Sequence, residues 1–428
     1  MESRQPVGSR AIGHRAGHRR RAAGALVTTA CIVGLSGTAA APAVAAENVP
    51  LQSGECKFGT DYIKETPWSL QRLLTSQLWP HGQQGQGIRV AVIDTGIDAG
   101  NEQLKPAIGS GGATLIKDGK ATDDKVGHGT KVAGIIAAQR ISRSGFYGIA
   151  PQAKVIPFQQ TSQEKAGDSK TLAAAINKAV DADVQIINIS QGTDASPSRL
   201  FPLEAAIAKA NRQGVLIVAS AGNGGADGGE KNMYPAAYSE KYPNVMAVAA
   251  SDRNNERAPF SQSGKFVNIA APGVEMVSTV PDGGNCVDQG TSFAAPYAAG
   301  AAALLKAKHP NWKPQQLIWH LEQTAERVKR GRDDFIGWGV VDPVAALNDD
   351  TMPTKPPQPD KPSVADGSDI RPVAITLGES PEERRARISI YIVAGGILAV
   401  GTVVGCSVAL RDWRRKTGLN SHGESIHG

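Results

Sequence analysis

The chain has 428 residues, 41% of them hydrophobic, enough for one large core with appended segments. Its formal charge of +6 lies almost wholly in residues 1–46, which hold six arginines against one glutamate. The remainder is near neutral and has no basic patch with interleaved aromatics, which excludes a nucleic-acid partner.

In chain order, the first 46 residues read as a secretory signal. Arg15, Arg19, Arg20 and Arg21 form a charged region, Ala25 to Leu35 an apolar region, and Ala43-Val44-Ala45 a small-residue cleavage site. An anchor that is never removed would carry a similar run, but the Ala/Pro-rich end favours cleavage near Ala45 or Ala46. Residues 47–78 are too few, and too poor in apolar clusters, for an independent domain. From Trp79 to about Asn348 short apolar runs alternate with helical stretches. Ile88 to Ile93 reads as a strand ending on Asp94, and Lys154 to Phe158 as another. Thr171 to Asp181 has helical spacing and leads into the run Val184 to Ile189. Leu203 to Gln213 is again helical, stops at Gly214 and feeds Val215 to Ala219. This β-α-β alternation with continuous apolar strands predicts an α/β fold with a mostly parallel twisted sheet and helices on both faces. Ligands of such sheets bind beyond the carboxyl ends of the strands, where Asp94 and the Ala221-Gly222-Asn223 turn fall.

Residues 349–387 begin rich in Pro, Asp, Lys and Ser and read as an extended stalk. Ile388 to Leu410 has no charge and is long enough to span a bilayer as one transmembrane helix. Residues 411–428 follow as a short tail containing Arg411, Arg414, Arg415, Lys416 and the interfacial Trp413. With an exported body, this tail stays in the cytoplasm and the chain crosses the plasma membrane once. Cys31 lies in the signal and Cys406 in the span, leaving Cys56 and Cys286. In an oxidising compartment these form either one disulfide or two unpaired thiols.

Three segments carry chemistry: Val92-Ile93-Asp94-Thr95-Gly96, Gly127-His128-Gly129-Thr130, and Gly290-Thr291-Ser292-Phe293-Ala294-Ala295-Pro296. A serine hydroxyl needs an adjacent base to act as a nucleophile. His128 is the candidate base for Ser292, and Asp94 the candidate partner that fixes the imidazole tautomer. Phe293 to Lys308 reads as a helix with Pro296 in its first turn, so Ser292 sits at a helix N-terminus, favourable to developing negative charge. Asp98 and Asp124, beside these motifs, read as solvated or turn residues. No His, Cys, Asp or Glu cluster has metal-ligand spacing, so no metal or other cofactor is expected.

The order Asp, His, Ser resembles the subtilisin-like serine peptidases (subtilases) over roughly Trp79 to Leu347. That resemblance implies a subtilisin-like fold. It also implies that Asn223 donates to the oxyanion and that Ser190-Gln191-Gly192 pairs with the substrate backbone and lines the S1 pocket. Gln191 there hints at a less apolar pocket than Leu would give. The flanks Pro67-Trp68-Ser69-Leu70-Gln71-Arg72-Leu73 and Leu78-Trp79-Pro80, with the whole layout, resemble the mycosins, membrane-anchored subtilases of type VII (ESX) secretion systems. This implies that residues 47–78 wrap the catalytic domain at 79–348, that polypeptides exported by the cell are substrates, and that type VII secretion membrane components are partners. It also implies that Cys56 is pinned near Cys286. Mycosins often carry more than one disulfide, whereas at most one is possible here. A second reading makes the protein a structural stabiliser of the secretion complex with catalysis secondary.

Overall fold

The computed structural model describes residues 56–73, 75–79, 82–162, 168–225, 231–327, 329–361 and 381–418. The signal, residues 362–380 of the stalk and the last ten residues lie outside these. Strands β1 (Arg89–Asp94), β2 (Ala113–Thr114), β3 (Lys154–Gln159), β4 (Ile186–Ile189), β5 (Leu216–Ser220), β6 (Val245–Ser251) and β7 (Ile269–Pro272) form one sheet in the order β2-β3-β1-β4-β5-β6-β7. Every pairing in it is parallel. From β1 the chain goes first to one side and then to the other, which opens a crevice at the carboxyl end of β1.

Alternating side chains explain why the strands are apolar without interruption. Val90 and Val92 face one layer, with α3 (His128–Ala137) and α6 (Thr291–Lys308), while Ala91 and Ile93 face α4 (Ser169–Asp181) and α5 (Phe201–Arg212). Both faces are covered, so neither tolerates polar residues. Small residues let α6 sit low on the sheet, and a Cβ on Gly300 would lie 2.7 Å from Ile149 Cβ. The subtilisin-like, mostly parallel architecture expected from the sequence is therefore the one observed. Strand β6, the longest of the sheet, the short β7, and the antiparallel hairpin β8 (Met276–Thr279) with β9 (Asn285–Asp288) were not among the elements read from the sequence.

The segment before β1 lies along the body. It contains the short helices α1 (Trp68–Gln71) and α2 (Thr75–Leu78), and Leu70, Leu73 and Leu78 are buried in the main core. Trp68 Nε1 donates to Val274 O at 3.0 Å, and Thr60 Oγ1 donates to Asn285 O at 2.9 Å. A disulfide joins Cys56 to Cys286, with Cα atoms 5.7 Å apart.

After α7 (Pro314–Gln323) and α8 (Pro343–Asn348), residues 349–361 do not stand away from the body as a free stalk. Asp350 meets Lys308 at 2.5 Å, and Arg327 grips Asp360 with two bonds of 3.0 and 2.9 Å. A segment unable to build a core can still dock by ion pairs, which composition alone does not reveal. The final helix, α9 (Pro381–Gly418), contains the predicted span, and Glu382–Lys416 is long and apolar enough to cross a membrane.

Glu322, on α7, is 4% exposed and accepts from Asn268 Nδ2 at 2.8 Å. Burial pushes its carboxyl up to about 7, against the opposing pull of that hydrogen bond and of Arg332. Below the ordinary carboxylate value both folded and unfolded states hold the proton. Between that value and about 7 only the folded state does, so stability falls as pH rises through this window. Glu322→Gln should remove this fall and become the more stable protein at pH 8, by roughly 1–3 kcal/mol in urea titrations. Parallel pH profiles for the two proteins would refute the assignment.

Candidate active site

The candidate residues gather where strands end and helices begin. Asp94 closes β1 and His128 opens α3, and His128 Nδ1 lies 2.7 Å from Asp94 Oδ1 with both side chains buried. Thr95 N donates to the same Asp94 oxygen at 2.8 Å. Gly129 must be glycine for this approach, since a Cβ there would lie 2.0 Å from Gly96 O. Phe293 packs against the His128 ring at 5.6 Å between centroids.

Ser292 is the second residue of α6, where the first backbone N–H groups of a helix have no partner within it. Its Oγ donates to Ser190 O at 2.9 Å, and Ser190 Oγ donates back to Ser292 O at 2.8 Å. Pro296, the sixth residue of α6, lies past the first turn, where the sequence reading had put it. It lacks the N–H that would bind Ser292 O within the helix, and that carbonyl is thereby left for Ser190.

Asn223 follows β5. Its Oδ1 accepts from both Thr291 N and Thr291 Oγ1 at 2.9 Å, which leaves Nδ2 as the free end of the amide. Asn223 and Ser292 line one cavity of about 280 Å³ with Ser190, Gln191, Gly192, Thr193, Gly222 and Met233. A chain of polar groups stands on one wall: Gln191 Oε1 accepts from Gln160 Nε2, and Gln160 Oε1 accepts from Thr171 Oγ1 at 3.3 Å. One cavity thus holds Ser292, Asn223 and Ser190-Gln191-Gly192, and the His128 ring packs on Phe293, the residue after Ser292. A hydroxyl, a buried carboxylate–imidazole pair and a free amide donor are the parts needed for acyl transfer through a tetrahedral oxyanion.

A model of the subtilase (peptidase S8) family matches residues 85–339. The chain belongs to the subtilase family. Among curated relatives, an alkaline protease of Alkalihalobacillus alcalophilus is 38% identical over 288 residues, 67% of this chain and 71% of that one. Subtilisin Savinase of Lederbergia lenta is 38% identical over 66% of this chain and 99% of its own. Among solved structures, MycP1 from Mycobacterium smegmatis aligns with a TM-score of 0.60 at 29% identity, covering 72% of this chain and 93% of that one. The MycP3 protease from the type VII (ESX-3) secretion system aligns at 0.58 and 31%, covering 68% and 93%. The protein is therefore a subtilisin-like serine endopeptidase whose structural neighbours are mycosin proteases.

Of the two roles read for Asp124, solvated or turn, the structure shows the turn, but a buried one: it accepts five hydrogen bonds. Thr95 Oγ1 (2.8 Å), Val126 N (3.1 Å) and Gly127 N (2.8 Å) bind its Oδ1. Thr130 N (2.8 Å) and Thr130 Oγ1 (2.7 Å) bind Oδ2. Burial pushes its carboxyl up while these donors pull it down. The available signal was an Asp placed where it can cap a helix starting at His128. Asp98, by contrast, holds turns through Gly100 N (2.8 Å) and Asp282 N (2.9 Å), as expected. In Asp124→Asn, either orientation of the new amide sets its NH2 against a buried backbone N–H. The change should cost about 1–3 kcal/mol by thermal denaturation, and Asp98→Asn much less. Equal losses would show that the buried acceptor role is misassigned.

Proposed function

We propose that Ser292 is the nucleophile, His128 the general base and later general acid, and Asp94 the group that holds the imidazole and stabilises its protonated form. Asn223 Nδ2 and the Ser292 backbone N–H receive the oxyanion. Ser190-Gln191-Gly192 pairs with the substrate backbone by strand addition on the acyl side. The observation that carries this reading is the buried Asp94–His128 contact of 2.7 Å, whose imidazole packs on Phe293, the residue after Ser292. The Ser292 hydroxyl, bonded to Ser190 O in the resting chain, needs only a rotation about χ1 to leave it.

The substrates are polypeptides exported across the plasma membrane, cut on its extracytoplasmic side by an enzyme anchored through α9. Support comes from the apolar α9 and from neighbours that include a protease of a type VII secretion system. The exported proteins of wild type, a deletion strain and a Ser292→Ala strain test this. Uncleaved proteins should accumulate equally in the last two. A defect in the deletion strain alone would make the role in the secretion complex structural.

Within the triad, Ser292→Ala and His128→Ala should each remove nearly all peptidase activity. The double variant should lose little more, because the members act as one unit. Multiplicative losses in single-turnover kinetics would break the triad. Asn223→Ala should lower kcat by about 100-fold or more with little change in KM, because the ground-state carbonyl hardly uses the donor. A variant that raised KM alone would make Asn223 a substrate-binding residue.

A further inference from the structure

The cavity beside Ser292 lies on the β4 and β5 side of the catalytic residues and takes the acyl half of a substrate. The leaving half must cross to the other side, where α3 and the β8–β9 hairpin stand. That side is built partly by the disulfide-pinned segment. Cys56 is bonded to Cys286 on β9, and Gly59 N donates to Pro281 O at 3.0 Å. Phe58, between them, packs edge-on over Gly127, the residue immediately before His128. A Cβ built on Gly127 would lie 2.6 Å from Phe58 Cε1 and 3.2 Å from Pro281 Cδ. Glycine is required there by this contact and by a φ of +83°.

Phe58 is nevertheless 39% exposed, an uncommon state for an aromatic ring fixed on both sides of its own chain. Helix α3, which begins just after Gly127, carries an anchored ion pair. Lys131, one turn after His128, is largely buried, meets Asp288 Oδ2 at 2.5 Å and lies 5.5 Å from the Phe293 ring. Asp288 Oδ1 accepts from Gln289 N at 2.8 Å, three residues before the nucleophile. The Lys131–Asp288 pair cancels its own charge, and Phe58 and Pro281 are the apolar side chains packed at Gly127.

We infer that Phe58, presented by the disulfide-bonded segment, is a binding platform for an apolar side chain among the first residues of the leaving half of the substrate. The inference rests on the assignment of Ser292 and His128 as the catalytic pair. An extended strand leaving the serine past His128 runs onto this wall, and an exposed ring held rigid there offers apolar area at small entropic cost.

A set of substrates with the same acyl half separates this role from general support of the fold. One is a peptide p-nitroanilide, which has no residues beyond the bond. The others are internally quenched peptides continuing past it, with leucine at one of the first three leaving positions or glycine at all of them. The readout is the ratio of kcat/KM for the spanning peptide to that for the anilide, in full-length protein in detergent. In Phe58→Ala this ratio should fall about fivefold for one leucine position and not for the glycine peptide. Phe58→Leu should restore it. A ratio unchanged in Phe58→Ala overturns the inference, and so does an equal fall for the glycine peptide. Should Phe58→Ala fail to fold, Phe58→Gln, which keeps a side chain over Gly127 without the apolar face, carries the same comparison. If the wild type cleaves neither substrate, the catalytic assignment fails first, and this inference with it.

Discussion

A carboxylate and an imidazole in contact away from water are the constraint on which the rest of this structure depends. Burying Asp94 is costly unless it is bonded, and the partners it has come from its own turn and from α3. The two turns must therefore hold a fixed distance. Asp124 does this from beneath. It binds the Thr95 hydroxyl on one side and the first turn of α3 on the other, while Thr95 Oγ1 accepts Gly129 N at 2.9 Å. A second buried acid, in the turn before α3, thus keeps aligned the first, which ends a strand buried on two faces.

The serine is placed by a different device. Its turn belongs to α6, which crosses the same layer as α3, and it is tied to the end of β4 by the reciprocal Ser190–Ser292 bonds. Thr291 ties the same turn to the end of β5 through Asn223. Sheet, Ser292 and the Asn223 amide are consequently tied into one unit. The leaving side is held by the hairpin and by the segment that Cys56 fixes to it. Both flanks of the catalytic body, residues 56–79 and 349–361, lie along it and close surfaces that the sheet and helices leave open.

Much was legible in the sequence because it is written in local chemistry. Asp94, Asn223 and the Ser190–Gly192 segment follow apolar runs, His128 and Ser292 sit in Gly-bracketed turns, and one cavity holds Ser292, Asn223 and Ser190–Gly192. The helices read over Thr171–Asp181 and Leu203–Gln213 appear as Ser169–Asp181 and Phe201–Arg212, within two residues at each end. Hairpin β8–β9 was illegible because it is short, and half of its pairing is settled by the segment before β1. The docking of residues 349–361 was illegible because ion pairs to Lys308 and Arg327 depend on where those cations come to lie.

The sequence by itself determined the chemistry available: which hydroxyl, which imidazole and which carboxylate, and a body of parallel strands with one apolar span after it. Those properties follow from residue type and from spacing along the chain. Only the tertiary structure decided that Asp124 is buried, that Pro296 frees a carbonyl for Ser190, and that Phe58 lies over Gly127. Each of these is a contact between residues far apart in the chain or a fact about burial. Such contacts exist only after the sheet, the two helical layers and the disulfide-bound segment have closed on one another.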